Sequence, residues 1–371
     1  MSREAIFEAS VEYFLSPIGK FLSDATITEI MVNRFDQIYV ERQGKLLSTS
    51  ARFESEDALM SAVRNVAQWV GRDINHERPI LDARLPDGSR VHAIIPPAAR
   101  GGACLTIRKF KPGGLTLDDL LAYGSISKSA SEFLQICVRL HKNIIISGGT
   151  GTGKTSLLGA VSVAIPWEER IIVIEDTSEL ALPQEHCIYL EVQRPDEYGR
   201  GGVSIRQLFT ASLRMRPDRI IVGEVRGGEA LDMVQAMLSG HSGSLSTVHS
   251  DSARNSLVRL ETLSMMSDVE IPVHVARAQV SAAVNLIVQL GRFSEDGSRR
   301  ITGISEVCGL DAADQYQVRP LYVCKMSGKT ESGRLIADLA PTGEQPTFAH
   351  EPHELGMASR IQHSAALWLS G

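Results

Sequence analysis

The densest chemistry in the chain is eight consecutive residues, Gly148-Gly149-Thr150-Gly151-Thr152-Gly153-Lys154-Thr155, with Ser156 behind them. They satisfy G-x-x-x-x-G-K-[ST], a pattern in which each residue type has a task. The glycines let successive backbone N–H groups converge on phosphate oxygens. Lys154 has the reach to place a charge on the β- and γ-phosphates of a nucleotide, and the Thr155 hydroxyl can hold Mg²⁺. A glycine-rich turn can match by chance, so the flanks decide. Asn143 to Ser147 reads as a short buried strand. Lys154 to Ala164 reads as a helix with Leu157, Leu158, Val161 and Ile165 on one stripe, stopped by Pro166. A helix that begins on the loop adds the positive end of its dipole to the cradle. The stretch predicts a nucleotide site lined by Gly148, Gly149, Thr150, Gly151, Thr152, Gly153, Lys154, Thr155 and Ser156.

Two further apolar runs have the unbroken β-branched character of strands buried on both faces of a parallel sheet. Ile171-Ile172-Val173-Ile174 ends in Glu175-Asp176-Thr177, and Ile220-Ile221-Val222 ends in Gly223-Glu224-Val225-Arg226. In open α/β sheets ligands gather beyond the strand C-termini. Glu175 and Glu224 are therefore expected to meet the phosphate loop at that edge. A carboxylate there can bind Mg²⁺, directly or through water, or take a proton from an attacking water. It can equally cap a helix or sit on the surface. The segment after Gly243 looks like a strand ending at His249, at the same edge, where an imidazole can sense the γ-phosphate. A lone histidine is more often a hydrogen-bonded core residue, and His241 stays open between the two readings.

The chain that positions these residues has 371 of them, enough for two or three domains. Its 43% apolar and 22% charged content is that of an ordinary globular protein, and its net charge of −6 lacks the basic signature of a nucleic-acid binder. No apolar run approaches the roughly 18 residues of a membrane span. Met1-Ser2-Arg3-Glu4-Ala5 opens no signal-peptide core. Five scattered cysteines without a C-x-x-C pair argue against a disulfide framework and a four-cysteine zinc site, so a cytosolic chain is expected.

Residues 1–110 read as a small α+β domain. A helical lead-in carries Ile6, Phe7, Val11, Phe14 and Leu15, and a hairpin of Ile38–Glu41 with Leu46-Leu47 turns at Gln43-Gly44. An amphipathic helix from Glu56 to Val70 is capped by Ser55. Strands at Val91–Ile95 and Cys104–Arg108 follow a Pro86-Asp87-Gly88 turn. Arg84, Arg90, Arg100 and Arg108 lie at strand ends and by themselves read as solvated charge. Residues 111–124, with Pro112-Gly113-Gly114 and one helical turn, form the expected linker. Ser129-x-x-Glu132 reads as a capping box opening a helix through His141. Helices are expected at Gly228–Ser239, 252–262 and 273–284, a hairpin at Leu286–Leu290 with Arg300–Val307, and a strand at Gln317–Lys325. Residues 326–371 read as a polar tail.

These blocks, in order across about residues 25–325, resemble the secretion ATPases of the type II/type IV superfamily. The matching blocks are the Walker A loop at 148–155, the acidic box at Ile174–Thr177, the Walker B segment at 220–224 and the His box ending at His249. Glu29–Asn33, Gln37–Arg42, Leu85–Val91 and Arg216–Arg226 look most like the tight-adherence (Flp) pilus ATPase of CpaF type. The four-cysteine zinc insert of the type II members is missing. The resemblance implies an α/β fold: a RecA-like P-loop core over 125–325, preceded by a smaller PAS-like α+β domain. It implies a homohexamer that binds ATP and Mg²⁺ between the two domains. Lys154 would take the β- and γ-phosphates and Thr155 the metal, Glu224 would activate water, Glu175 would assist around metal and water, and His249 would sense the γ-phosphate. Arg108 and Arg90 would neutralise charge on the transferred phosphoryl group. The implied partner is an inner-membrane platform protein, met peripherally from the cytoplasm, with no direct nucleic-acid contact and no lipid insertion. The main functional expectation is pilus assembly or protein secretion. The alternatives are a conjugative or type IV secretion ATPase for DNA or effectors, and a RecA-like DNA motor.

Overall fold

Two units make up the chain, Met1–Pro112 and Gly113–Gly371, each with its own buried apolar core. The computed structural model describes residues 3–42, 44–110, 114–195, 199–331 and 333–369, with side chains from residue 9 onward. The expected turn residue Gln43, the linker residues Lys111, Pro112 and Gly113, and the side chains of Ile6 and Phe7 lie outside the described residues.

In the first unit α1 (Arg3–Phe14) and α2 (Gly19–Ser23) lead into β1 (Ile27–Arg34), β2 (Gln37–Arg42) and β3 (Lys45–Ser48). After α3 (Glu56–Trp69) come β4 (Ile80–Arg84), β5 (Arg90–Ile94) and β6 (Cys104–Arg108). The six strands form one antiparallel sheet in the order β3-β2-β1-β6-β5-β4. Alternation sets its inward face: Ile27, Ile30, Val32, Leu81, Val91, Ala93, Leu105 and Ile107 are buried. The α3 stripe of Leu59, Ala62, Val63, Val66 and Ala67 belongs to the same core, and Ser55 accepts the Ala58 N–H as the N-cap.

In the second unit α4 (Leu117–Ala122) and α5 (Lys128–Arg139) precede β7 (Ile144–Gly148), α6 (Lys154–Ser162), β8 (Ile171–Glu175) and β9 (Cys187–Glu191). Then follow α7 (Ile205–Ser212), β10 (Arg219–Val222), α8 (Glu229–Leu238), β11 (Leu245–Val248), α9 (Ala253–Met265) and α10 (Val273–Ala283). The chain ends with β12 (Leu286–Arg292), β13 (Arg299–Leu310), β14 (Tyr316–Lys329), β15 (Leu335–Pro341) and the short α11 (Glu351–Glu354). All nine strands share one sheet, in the order β15-β14-β13-β12-β7-β11-β10-β8-β9. From β12 to β9 the pairing is parallel, and β13 to β15 extend it antiparallel. Every residue of β7, β8, β10 and β11 is buried, as unbroken β-branched runs require.

Three expectations change here. Residues beyond Gly114 are not free linker, because Leu120 is buried in the second core with Leu115, Leu117 and Leu121 packed against it. The capping box at Ser129 and Glu132 does not form. Ser127 is the N-cap of α5, accepting the Ala130 N–H, and Ser129 hydrogen-bonds the Tyr322 hydroxyl at 2.8 Å. Glu132 instead accepts the backbone N–H groups of Gln362, His363 and Ser364. That contact belongs to the third correction: the polar tail is structure. It supplies β15 and then runs back over α5, where the Trp368 ring stacks on Phe133 with centroids 5.2 Å apart.

Candidate nucleotide site

The phosphate loop joins β7 directly to α6, as its flanks predict. Gly151 and Gly153 take φ of +69° and +93°, a left-handed backbone that side-chain-bearing residues rarely adopt. The Thr152 hydroxyl donates to the Gly149 carbonyl at 2.9 Å and ties the loop across its base. Lys154 is buried, and its ammonium donates to the carbonyls of Gly148 and Gly149 at 3.1 and 3.0 Å. Thr155 and Ser156 open α6, half-buried and exposed, while Gly149 and Thr150 are exposed at the loop crest. The cation is thus held at the loop by weak neutral partners, which phosphate oxygens would outcompete.

Glu224 and His249 come together beyond the ends of β10 and β11, which pair in parallel. Hydrogen bonds between the two segments fix this: Val225 N–H donates to Thr247 O at 3.0 Å and the Thr247 hydroxyl to Gly223 O at 2.8 Å. His249 Nε2 lies 3.0 Å from Glu224 Oε1, and Lys154 Nζ is 3.4 Å from both imidazole nitrogens. Burial lowers the His249 pKa, and Lys154, Arg226 and Arg259 push it the same way against the pull of Glu224. The imidazole is therefore neutral at neutral pH and can donate Nε2–H to the carboxylate. On the other carboxylate oxygen, Arg226 donates from Nη2 at 2.8 Å, and its Nη1 reaches Asp176 at 3.5 Å.

Glu175 stands at the end of β8, the strand next to β10. Its carboxylate is turned onto backbone: Oε1 accepts the N–H groups of Glu179 and Leu180 at 3.0 and 3.2 Å. Burial raises its pKa to about 7 in spite of those donors. It organises the 176–180 turn, whose Leu180 lies against Gly159 of α6. His241 lies ahead of β11, at the edge of the sheet away from the loop, so it takes no part in the site.

In the first unit, Arg90 and Arg108 are direct cross-strand partners on β5 and β6, and Arg84 of β4 faces Arg90 in the next pair. The row continues to Glu29 of β1 and Glu41 of β2. Opposite charges in one row offset the repulsion of paired arginines.

Several groups at the site carried no sequence signal. Arg226 and Asp176 were visible only as neighbours of the two glutamates. Arg259 of α9 lines the cleft with Glu224, Arg226 and His249. Arg292, ending β12, places its guanidinium by Gly151, and Arg299, opening β13, lies by Gly153. That β12 pairs with β7 made this possible, and no local pattern announces such a pairing.

The residues fit a nucleoside triphosphate with its metal. Loop amides and Lys154 suit phosphate oxygens. Among the described residues no cluster of three carboxylate, histidine or cysteine side chains could cage a metal alone. Mg²⁺ binds through few protein ligands together with substrate phosphates, and the hydroxyl of Thr155, the second residue of α6, is of the type that serves as one.

The family described as "Type II/IV secretion system protein" matches residues 13–347. The chain belongs to that family. Among its curated relatives is the type IV secretion system protein PtlH of Bordetella pertussis, 36% identical over 79% of this chain and 94% of that one. Another is the type IV secretion system protein VirB11 of Brucella suis, 32% identical over 81% of this chain and 90% of the relative. The fold also matches the pilus retraction motor PilT crystallised with bound ADP, with a TM-score of 0.57 at 20% identity, covering 82% and 84% of the two chains. That likeness speaks to fold alone: a RecA-like core with an N-terminal domain. As a secretion-family member the chain is related to ATPases, and no described helix is long and apolar enough to cross a membrane.

Proposed function

We propose that this chain is the ATP-hydrolysing motor subunit of a type IV secretion system. The convergence of Lys154, Glu224 and His249 at one sheet edge carries the reading. The PtlH and VirB11 relatives support that system over the pilus-assembly role, tight-adherence type included, that the motifs suggested. Bound at the loop, Mg²⁺–ATP supplies the phosphoanhydride bond to be cleaved and a metal to neutralise its charge. Lys154 would exchange its carbonyl partners for the β- and γ-phosphates, and the Thr155 hydroxyl would help hold the metal. Glu224 orients the attacking water and takes its proton, and neutral His249 holds the carboxylate in register while reporting on the γ-phosphate. Glu175 positions the adjoining turn. The family resemblance supports Arg108 and Arg90 as charge-neutralising groups from the N-terminal unit. Six copies form a ring at the cytoplasmic face of the inner membrane and push on a platform protein, without direct contact to nucleic acid and without lipid insertion.

The test is hydrolysis by the purified chain. Lys154→Ala is expected to abolish turnover while circular dichroism stays unchanged, and near-normal hydrolysis in that variant would remove the loop from the active site. Arg108→Ala is expected to slow hydrolysis by about 10³ or more, the range seen for arginine fingers, with ATP affinity kept. Unchanged hydrolysis would return the arginine to a structural row.

A further inference from the structure

The cleft beside Glu224 has a volume of about 300 Å³ and is lined by Glu224, Val225, Arg226, His249 and Arg259. Four of these follow the ends of β10 and β11. Arg259 arrives separately, from the second turn of α9. That helix is fastened under the phosphate loop: Ser256 donates to the Ser147 hydroxyl at 2.7 Å, and Ser147 immediately precedes Gly148. Arg259 follows Ser256 by three positions, so the two share a helix face.

Arg254 of the same helix donates to the Gln315 amide oxygen at 2.7 Å, and several other arginines of the unit pair with carboxylates. Arg206 pairs with Asp232 and Asp268, Arg226 with Glu224 and Asp176, and Arg277 with Glu261. Arg259 has no carboxylate three or four positions away on α9, where Asn255, Ser256, Thr262 and Leu263 stand. Among the described residues it makes no ion pair. Its field nevertheless reaches His249. At the imidazole its field adds to those of Lys154 and Arg226 and opposes that of Glu224, while the carboxylates Asp176, Glu179 and Glu229 lie about Arg226 rather than Arg259. A guanidinium fork that lines this cleft without a carboxylate partner suits a doubly charged oxyanion with two oxygens on one face.

We infer that Arg259 is a phosphate-binding residue supplied by the same chain, taking the terminal phosphate of a nucleoside triphosphate. The inference rests on the ATP reading. It makes the site selective, because a diphosphate leaves Arg259 without a partner. A carboxylate from a second copy of the chain is the rival occupant, and the small cleft beside the water-activating Glu224 favours the phosphate.

Equilibrium binding of a non-hydrolysable ATP analogue and of ADP to the full chain separates these cases, with Arg259→Gln and Arg259→Lys beside the parent. Arg259→Gln is expected to weaken the triphosphate about tenfold and ADP less than about twofold, as loss of one charge-assisted contact predicts. Arg259→Lys is expected to recover part of the loss. Equal losses for both nucleotides, or none, overturn the assignment. So does a smaller assembly with unchanged nucleotide affinity, which would give Arg259 to a subunit contact. Should Arg259→Gln misfold by circular dichroism, the ratio of triphosphate to diphosphate affinity in Arg259→Lys decides. A parent chain that binds neither nucleotide sinks the ATP reading and this inference together. A parent that binds both, with unaltered variants, sinks only the inference.

Discussion

Beyond the C-terminal end of β10, Arg226, Glu224 and His249 are linked in a chain of polar contacts centred on the carboxylate, and at its N-terminal end Arg219, Glu169 and His141 are linked in another. The residue types are identical, and the surroundings separate them. The Arg219 side chain is 0% exposed, against 57% for Arg226. Arg219 spends its remaining donors on the carbonyls of Val138 and Gly243 at 2.8 and 3.2 Å. Burial pushes the Glu169 carboxyl up, but hydrogen bonds and charge from His141 and Arg219 reverse this and hold its pKa at about 2. The Arg219 guanidinium at the centre of that group is closed to a ligand. At the other end, Arg226 and His249 hold Glu224 from opposite sides and leave a cleft beside it. A saturated polar group locks the strand starts together, and an open one at the strand ends can do chemistry.

The comparison breaks most visibly through Glu224→Gln, which keeps size and removes charge and base. Hydrolysis is expected to fall by about 10²–10⁴ with ATP still bound and the melting temperature unchanged. Hydrolysis at the parent rate would leave the open group without catalytic meaning.

At the closed end the expected loss is in stability. Arg219→Ala strands Glu169 in a buried setting and should cost about 3–5 kcal/mol in urea unfolding. Gly243→Ala attacks the same contact from the other side, since its Cβ would lie 1.9 Å from the Arg219 guanidinium at a φ of +80°. A full-stability variant at either position would show that the N-terminal group is dispensable.

Glu175 sharpens the contrast by pH. Burial lifts its pKa from 4.5 to about 7, so the fold favours its protonated form. The stability it contributes is fully present below pH 4.5 and is lost as pH rises through about 7. Glu175→Gln does not titrate, so relative to it the parent is expected to lose about 3 kcal/mol across that window. Parallel stability profiles for parent and variant would mean that the carboxyl is not held as described.

What the sequence made legible was local. The strand, glycine loop and helix around Lys154 follow one another within a few residues, and so do the apolar runs that end at Glu175 and Glu224. The partners of side chains were not legible. Glu132 looks like half of a capping box, yet its carboxylate serves backbone amides at Gln362 to Ser364, a contact that no spacing rule anticipates. The sequence pattern assigns no element to the stretch that holds strand β9 and helix α7. In β9, Cys187-Ile188-Tyr189-Leu190-Glu191 lies at the sheet edge with a half-exposed pattern. The last residues read as tail because Phe348, Leu367 and Trp368 are buried outside any helical or alternating period, and the alternation of β15 is short, with only Leu335 and Leu339 buried. Glu175 was placed correctly at its strand end, but the direction its carboxylate faces depends on a turn whose amides claim it.

The position of β7 in the sheet has a consequence for the order in which the protein comes into being. The strand that carries the phosphate loop lies between β11 and β12, both of which follow it by about a hundred residues or more. A chain still on the ribosome has already exposed the glycine loop, but β7 has neither lateral neighbour until β11 emerges and only one until β12 does. The loop's own geometry leans on that last arrival, since the Leu290 carbonyl lies against Gly148. Assembly of the loop therefore awaits synthesis of the second unit through β12, and the nascent chain carries an unpaired apolar strand edge in the interval, a surface that invites mispairing until β12 closes it.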